Sequence, residues 1–284
     1  MLKMRTIFML VALIAATVTG AVAATAPQPL SISLRDVIST VELSFSDASR
    51  YDDGQPFLVD VTADFFQRST LAENQREMRA DGQLYLRNAD YRNREPLKFR
   101  FDYYRPTNHQ IICDGATLWT YLRENRQVIL SEVVDFFAPT VADPSRNRGF
   151  NFLQGLPRIS KDFQITFSPQ GRDIDGNYIL ELNPRLVMET IEKLFIVVRF
   201  DSVRRYVLNG RQIINPANRH GIDARSKDFS SPEQAFPILS TTVIDHRGNS
   251  TLMEFSNIQV NRGLSDAFFR FDIPADVQVL RPPR

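Results

Sequence analysis

The sequence predicts a mainly β protein of the α+β class, in which a few helices pack against one curved antiparallel sheet. From about residue 76, apolar and polar residues alternate with a period of two in many short segments, as expected for half-buried strands. Tight-turn sequences such as Asp114-Gly115 and Arg247-Gly248-Asn249 separate neighbouring segments, which favours antiparallel hairpins. An amphipathic helical pattern precedes these strands. The sequence contains no internal repeat of fixed period.

Composition excludes several classes of protein. The chain has 284 residues, of which 43% are hydrophobic and 24% charged, so it is long enough and apolar enough for a sizeable core. Its formal net charge is +1, and no basic excess points to nucleic acid as a partner. It contains 21 Phe residues but one Trp, which indicates either a large apolar core or an apolar cavity.

Residues 1–23 have the pattern of a secretory signal peptide. Lys3 and Arg5 precede an apolar stretch from Ile7 to Val18, and Ala21-Val22-Ala23 supplies the small residues of a cleavage site. No second stretch reaches the length of a membrane span. We therefore expect an exported, periplasmic protein whose mature part, residues 24–284, forms one domain.

The first half of the mature chain is predicted to contain one helix followed by hairpins. Residues 30–50 suit a helix that Ser33 can cap. Residues 57–66 suit a strand or a second short helix. Residues 97–104 are the clearest strand, with Leu97, Phe99, Phe101 and Tyr103 on one face. The other strands expected here are 83–87, 110–113, 117–122 and 127–130.

The second half begins with a Phe-rich interruption at 133–154, which we interpret as helical or irregular. Residues 202–237 are polar and rich in turn sequences, and are predicted to be an inserted loop. The strands expected in this half are 163–168, 178–182, 190–200, 240–244, 251–255 and 268–273.

Catalytic and metal chemistry find little support in the sequence. No GxSxG motif is present, and His109, His220 and His246 are each predicted to lie at the surface. The one cysteine, Cys113, lies in a short apolar strand and is expected to be a buried, inert thiol. Asp173-x-Asp175-Gly176-Asn177 is best interpreted as a hairpin turn. We predict no enzyme, no metal site and no cofactor.

The aromatic residues leave two interpretations open. Phe99, Phe101 and Tyr103 line one strand face, and Trp119 and Tyr121 line a face of another strand. They could fill an ordinary core, or they could line a cavity where an unclosed sheet is covered by helices.

Three stretches resemble one known family, the LolA-type carrier proteins of outer-membrane lipoproteins. Residues 95–103 (EPLKFRFDY) resemble a strand of that family. Residues 113–121 (CDGATLWTY) resemble one of its hairpins. Residues 245–251 (DHRGNST), 255–258 (FSNI) and 269–274 (FRFDIP) resemble its C-terminal part. The stretches occur in the family's order, and the resemblance covers about 30–201 and 238–280.

The resemblance implies an unclosed antiparallel half-barrel covered by a lid of short helices. Acyl chains of lipoproteins or lipids would lie in an apolar cavity between the two, and a monomeric carrier would take them from an inner-membrane transporter to an outer-membrane receptor. Each buried CH₂ group contributes about 0.8 kcal/mol, which suffices to hold such chains away from water. The residues expected to line the cavity are Phe66, Leu84, Phe99, Phe101, Tyr103, Trp119 and Tyr121.

Two departures from the family pattern bear on the lid. The family has an arginine just before the proline of its first motif, where it hydrogen-bonds the lid, whereas this chain has Glu95. Arg94 or Arg87 is a candidate to replace that latch, and Phe136 and Phe137 are candidates for the lid itself. The insertion at 202–237 has no counterpart in the family.

A different function remains open beside the carrier. A lipid-sensing regulatory module could use the same half-barrel and bind a signalling partner through its surface. Release of cargo to an acceptor membrane would distinguish a carrier from such a sensor.

Overall fold

The computed structural model describes residues 30–46, 58–90, 93–132, 155–186, 188, 191–211 and 236–281. The predicted signal peptide at 1–23 lies outside these residues. The chain divides into residues 1–31 and a compact unit, Ile32–Arg284, and the architecture below is that of the second unit.

Among the described residues, one unclosed sheet of twelve strands forms the body of this unit. The strand order is β12-β6-β5-β4-β3-β2-β1-β11-β10-β9-β8-β7, and every pairing is antiparallel except that of β12 with β6. The strands are β1 (Asp60–Thr70), β2 (Glu77–Arg87), β3 (Lys98–Arg105), β4 (His109–Cys113), β5 (Thr117–Leu122), β6 (Gln127–Glu132), β7 (Phe163–Arg172), β8 (Tyr178–Pro184), β9 (Lys193–Val198), β10 (Ile238–Ile244), β11 (Ser250–Val260) and β12 (Gln278–Leu280).

The order of the strands confirms the predicted antiparallel half-barrel class. Strands β1 to β6 run outward from the centre as consecutive hairpins, and strands β7 to β11 return to it. The two series join where β1 pairs with β11. Of the segment at 57–66, for which strand and helix were both open, residues 60–66 belong to β1.

The helices of the described chain are short. They are α1 (Leu34–Phe45), α2 (Ile159–Asp162) and α3 (Phe200–Leu208), with 3₁₀ turns at Leu156–Arg158 and Asp266–Phe269. Ser33 caps α1 as predicted, and Asp36 completes a capping box by accepting the backbone N–H of Ser33. Val37, Val41 and Phe45 on its apolar side are buried in the main core.

The sheet has two faces of different character. We call the face that carries Phe99, Phe101 and Tyr103 the inner face. The register pairs Leu86 with Phe99 and Leu84 with Phe101, so both leucines share that face. The inner face belongs to the same hydrophobic cluster as α1, and Phe45 of α1 reaches Phe255 on β11 through edge-on contacts with Phe236. We call the opposite face the outer face.

The predicted strand at 268–273 is wrong. Residues 262–277, which we call the C-terminal strap, contain a 3₁₀ turn and a second turn at 275–276, and none of them takes part in a strand ladder. Alternating phenylalanines suggested a strand, but Phe268 instead packs at a tilt against Tyr85 and Phe271 lies against Tyr121, both on the outer face. The strap therefore packs on the sheet rather than pairing within it.

The chain after β9 also differs from the prediction. The strand expected to continue through Phe200 ends at Val198, and the first residues of the predicted insertion form α3. Val203 and Val207 are buried four positions apart, which is a helical spacing. The side-chain oxygen of Asn177 accepts the Phe200 backbone N–H at 3.0 Å and holds the start of this helix against β8.

Candidate functional site

The inner face carries an apolar surface that extends across neighbouring strands. Phe99, Phe101 and Leu84, three of the predicted cavity residues, are almost fully buried there. The ring of Phe65 on β1 meets Phe101 edge-on at 5.5 Å, and Phe99 meets Phe101 at 6.1 Å. Three predicted residues thus lie together in one aromatic and aliphatic surface.

A glycine makes this aromatic arrangement possible. Gly82 lies on the inner face between Phe65 and Tyr103, its partners in the ladders on either side. A Cβ atom at this position would overlap the carbonyl oxygen of Asp102 and lie 2.8 Å from Cζ of Phe65. Because position 82 carries no side chain, the rings of Phe65 and Tyr103 approach to 4.8 Å above it.

The inner face becomes polar at one end. The Tyr103 hydroxyl donates to Oε1 of Gln67 at 2.9 Å, and the ring of Tyr103 stacks on that of His109 at 4.1 Å. Burial raises the pKa of Tyr103 and keeps its hydroxyl protonated. Burial also lowers the pKa of His109, against the opposing effects of the Thr107 carbonyl and Glu124.

His109, which was predicted to be a surface histidine, is only partly exposed. Its register partner Tyr103 places its ring on the inner face, where it is partly buried. Gln67 was not predicted at all. The alternation of β1, which makes Val61, Ala63, Phe65 and Gln67 share a face, was the available signal for it.

Charged groups are absent from the inner positions of β1 to β5 and β11, as far as the register assigns them in the described chain. The ladders place Asp64, Arg87, Arg100, Asp102 and Glu254 on the outer face. Cys113 lies on the inner face as a buried free thiol, as predicted, and burial raises its pKa to about 12. The surface is therefore suited to uncharged apolar groups.

Three other predicted cavity residues lie on the outer face, so the seven predicted residues do not line one wall. Trp119 and Tyr121 pair with Ile112 and Gln110, whose neighbours on β3 are the outer residues Arg100 and Asp102. Phe66 follows Phe65 directly and points to the other side of β1. This correction follows from the two-residue period of a strand, which the sequence fixes within each strand but not between strands.

The strap covers the two aromatic residues of β5. Phe271 lies 6.4 Å from Trp119 and 5.3 Å from Tyr121, measured between ring centroids. Ile112 and Val128 on the same face are buried, as is Phe269 of the strap, and none of the three belongs to the main cluster. Trp119 and Tyr121 therefore belong to a second, smaller apolar layer beneath the strap.

Arg87 does not serve as a latch to the helices. It lies on the outer face, where its guanidinium pairs with Asp266 of the strap at 2.8 Å and with Glu95 at 3.3 Å. Lys98 joins the same Asp266 carboxylate at 2.7 Å. Arg94 is exposed and has a positive φ of 58° in the turn before β3. Phe136 and Phe137 lie outside the described residues.

Other contacts connect α1 to the remaining helical segments. Arg211, just after α3, donates through Nε to Asp36 at 2.7 Å. Burial by itself would raise the pKa of Asp36. Hydrogen bonds from Arg211 and Ser33 lower it, and their combined effect is larger, so the pKa of Asp36 lies below its usual value. At the other end of α1, Glu42 accepts both the backbone N–H and the hydroxyl of Ser160 in α2, at 2.8 and 2.6 Å.

Within the described ranges, no cluster of three or more His, Cys, Asp or Glu residues could hold a metal ion. The described helices include none long and apolar enough to cross a bilayer. Asp173 accepts the backbone N–H groups of Asp175 and Asn177, which is the hairpin turn predicted there.

Comparisons with known proteins connect this fold to one family. The family model described as "Outer membrane lipoprotein carrier protein LolA" matches residues 58–203, half of the chain. A protein of Methylobacillus flagellatus named outer-membrane lipoprotein carrier protein is 24% identical over 78% of this chain and 82% of its own length. A protein of the same name from Francisella tularensis subsp. novicida is 21% identical over 86% and 92%. A LolA superfamily protein from Nitrosomonas europaea, 13% identical, has a solved structure that aligns over 85% of this chain and 99% of its own with a TM-score of 0.39.

Proposed function

Because the chain belongs to the outer-membrane lipoprotein carrier family, we propose that it binds the acyl chains of lipoproteins and carries them through the periplasm. The observation that carries this proposal is the uncharged apolar inner face, centred on Phe65, Phe99 and Phe101. Such a face can replace the contacts that acyl chains lose when they leave a membrane. The proposed role needs no catalysis and no cofactor, and a monomer suffices for it.

Uptake requires the helical cover to move. The inner-face side chains near Phe101 are already buried, and α1 belongs to the same cluster. An acyl chain must therefore displace part of this cover, including contacts such as Asp36–Arg211 and Glu42–Ser160. The free energy of those contacts would oppose uptake and favour release, which suits a carrier that must deliver its cargo.

By family, the donor would be an inner-membrane transporter that releases lipoproteins, and the acceptor a receptor at the outer membrane. In this scheme the acyl chains occupy the inner face, and the outer face and the strap do not bind them. We therefore expect inner-face residues to contact the cargo and outer-face residues not to.

Photo-crosslinking in the periplasm tests the division. A photoreactive phenylalanine analogue replaces Phe101 on the inner face in one variant and Phe66 on the outer face in the matched control. We expect Phe101 variants to crosslink to acylated lipoproteins and Phe66 variants to give no such product. Equal crosslinking from both positions, or none from Phe101 in a folded protein, would contradict the proposal.

Transfer is tested separately. Loaded protein is mixed with acceptor membranes, and lipoprotein in the membrane fraction is measured over time. Delivery is expected of a carrier. Stable binding without delivery would instead favour the lipid-sensing module on the same fold.

A further inference from the structure

The inner face has a direction along its strands. On β1 the inner residues pass from Val61, Ala63 and Phe65 to Gln67 and then Ser69. On β3 they pass from Phe99 and Phe101 to Tyr103, and on β4 from Cys113 and Ile111 to His109. In these three strands the apolar series ends in a residue that can form hydrogen bonds, whereas the inner residues at the same end of β2 and β5 are Ala80, Met78 and Leu122.

The register brings these strand ends together. Tyr103 pairs with His109, and Gly82, the partner of Tyr103, pairs on its other side with Phe65. Gln67 is the next inner residue after Phe65 and reaches the Tyr103 hydroxyl directly. We call Gln67, Ser69, Tyr103, His109 and Thr251 the polar end of the inner face.

Access to water follows the same direction. Val61, Ala63 and Phe99 are at most 1% exposed, whereas Gln67, Ser69 and His109 are partly exposed. Gln67 donates to Ser69, and Ser69 meets the Thr251 hydroxyl at 3.3 Å, so the polar groups form a connected series along this margin. A ligand with an apolar tail and a polar head would match this surface in only one orientation.

The chemistry of the polar end favours some lipid head groups over others. It offers amide, hydroxyl and imidazole groups, each of which can donate a hydrogen bond to a neutral carbonyl oxygen. The inner positions of these strands carry no Lys or Arg that could balance a phosphate, and Glu124 lies close enough to act on His109 electrostatically. An anionic head would be poorly matched here.

From this arrangement we infer that the polar end binds the neutral ester and amide groups that join acyl chains to the head of a lipid-modified protein, with the chain ends directed toward Phe99 and Leu86. The inference rests on the proposed function, because it concerns the orientation and head chemistry of the same ligand. Gln67 and Tyr103 would act as residues that determine specificity rather than overall apolar affinity.

Two ligands and three variants test it. The ligands are a synthetic triacylated lipopeptide and N-phenyl-1-naphthylamine, an apolar fluorescent probe without ester groups. The variants are Gln67→Leu, Tyr103→Phe and the matched control Tyr85→Phe, which loses a hydroxyl hydrogen bond of 2.7 Å to Gln83 on the outer face. Tyr103→Phe keeps the ring that packs on His109 and Phe65, so the fold is preserved.

We expect Gln67→Leu and Tyr103→Phe to weaken lipopeptide binding by about threefold to tenfold, as for the loss of one or two hydrogen bonds. Binding of the apolar probe, and both affinities of Tyr85→Phe, should remain within about twofold of the parent. Equal weakening of both ligands, or no change in lipopeptide affinity, would overturn the inference while leaving the proposed function intact. If the parent bound neither ligand, the proposed function would fail as well.

Orientation and charge are tested on the unmodified protein. A nitroxide is placed on lipid chains either near the ester or near the chain terminus, and broadening of methyl resonances is compared for Ile111, beside the polar end, and Leu86, at the other end. The ester label should broaden Ile111 more, and the terminal label Leu86 more. The reverse pattern, or tighter binding of lysophosphatidylglycerol than of the lipopeptide with dependence on Tyr103, would contradict the inference.

Discussion

The ring of Tyr103 lies flat on the ring of His109, with 4.1 Å between their centroids and 14° between their planes. The two residues are cross-strand partners on β3 and β4. The contact withdraws the imidazole from water at the margin of an otherwise uncharged face, and the burial lowers its pKa below the ordinary value of 6.5.

The free energy of unfolding should therefore fall as the pH drops from 6.5 toward the lower pKa of folded His109. Below pH 6.5 the unfolded chain binds a proton at His109 that the folded protein resists, so the stabilising effect of the neutral ring is full above the unfolded pKa and is lost toward the lower folded pKa. His109→Phe keeps an aromatic ring but cannot titrate. We expect the parent to lose free energy of unfolding between pH 7 and 5 more steeply than this variant, as measured by urea denaturation. Identical slopes for the two proteins would contradict the prediction.

Arg211→Ala should loosen the helical cover. The substitution removes the partner of a nearly buried Asp36 carboxylate, while the arginine itself is half exposed. We expect the free energy of unfolding to fall slightly and acyl-probe uptake to become faster in stopped-flow fluorescence. Arg79→Ala, which breaks an exposed pair with Glu77 on β2, is the control and should leave uptake unchanged. An uptake rate equal to that of the control would argue against α1 as part of the cover.

The strap offers a pair of adjacent phenylalanines with different environments. Phe269 is 1% exposed and Phe268 is 40% exposed. Phe269→Ala should destabilise the protein by about 3–5 kcal/mol, as for a buried aromatic residue, and Phe268→Ala by much less. Chemical denaturation of both variants gives the comparison, and similar losses would show that the strap does not cover a second apolar layer.

Gly82→Ala tests the close approach of β2 and β3. The added methyl group would overlap the Asp102 carbonyl and crowd the ring of Phe65. We expect a loss of about 1–3 kcal/mol or more, because neither the backbone nor a ring in the core can move aside easily. Gly155→Ala is the control, since the nearest atom to a Cβ there is the end of the Asp162 side chain at 3.8 Å. A thermal midpoint for Gly82→Ala no lower than that of the control would refute the argument.

The sequence predicted features that depend on neighbouring residues better than features that depend on residues far apart along the chain. Local signals were sufficient for α1, whose Ser33 cap is visible in the sequence, and for the alternation of β3. They could not relate Trp119 on β5 to Phe101 on β3, because the face shared by two strands depends on their register and not on either strand alone. The strap was mistaken for a strand because Phe269 and Phe271 are two positions apart, as apolar residues in a strand would be. Both these residues and Phe268 are instead apolar because they pack on the sheet.

The same limit explains the predicted latch. Arg87 was considered because it lies near a family position in the sequence, but its partner Asp266 is 179 residues away. Conversely, Gln67 and His109 come together only through the ladders of β1 to β4, so nothing local marked them as neighbours.

The pairing of β1 with β11 bears on how the chain folds. Ser69 and Thr251, opposite each other in this ladder, are 182 positions apart, so the centre of the sheet cannot close until almost the whole chain has been released for folding. Contacts of such long sequence separation give slow folding, on the scale of milliseconds to seconds. During that interval the hairpins from β1 to β6 can assemble, but β1 presents an unsatisfied edge that invites association between chains. A chain truncated before β11 should therefore aggregate rather than persist as a soluble half-sheet.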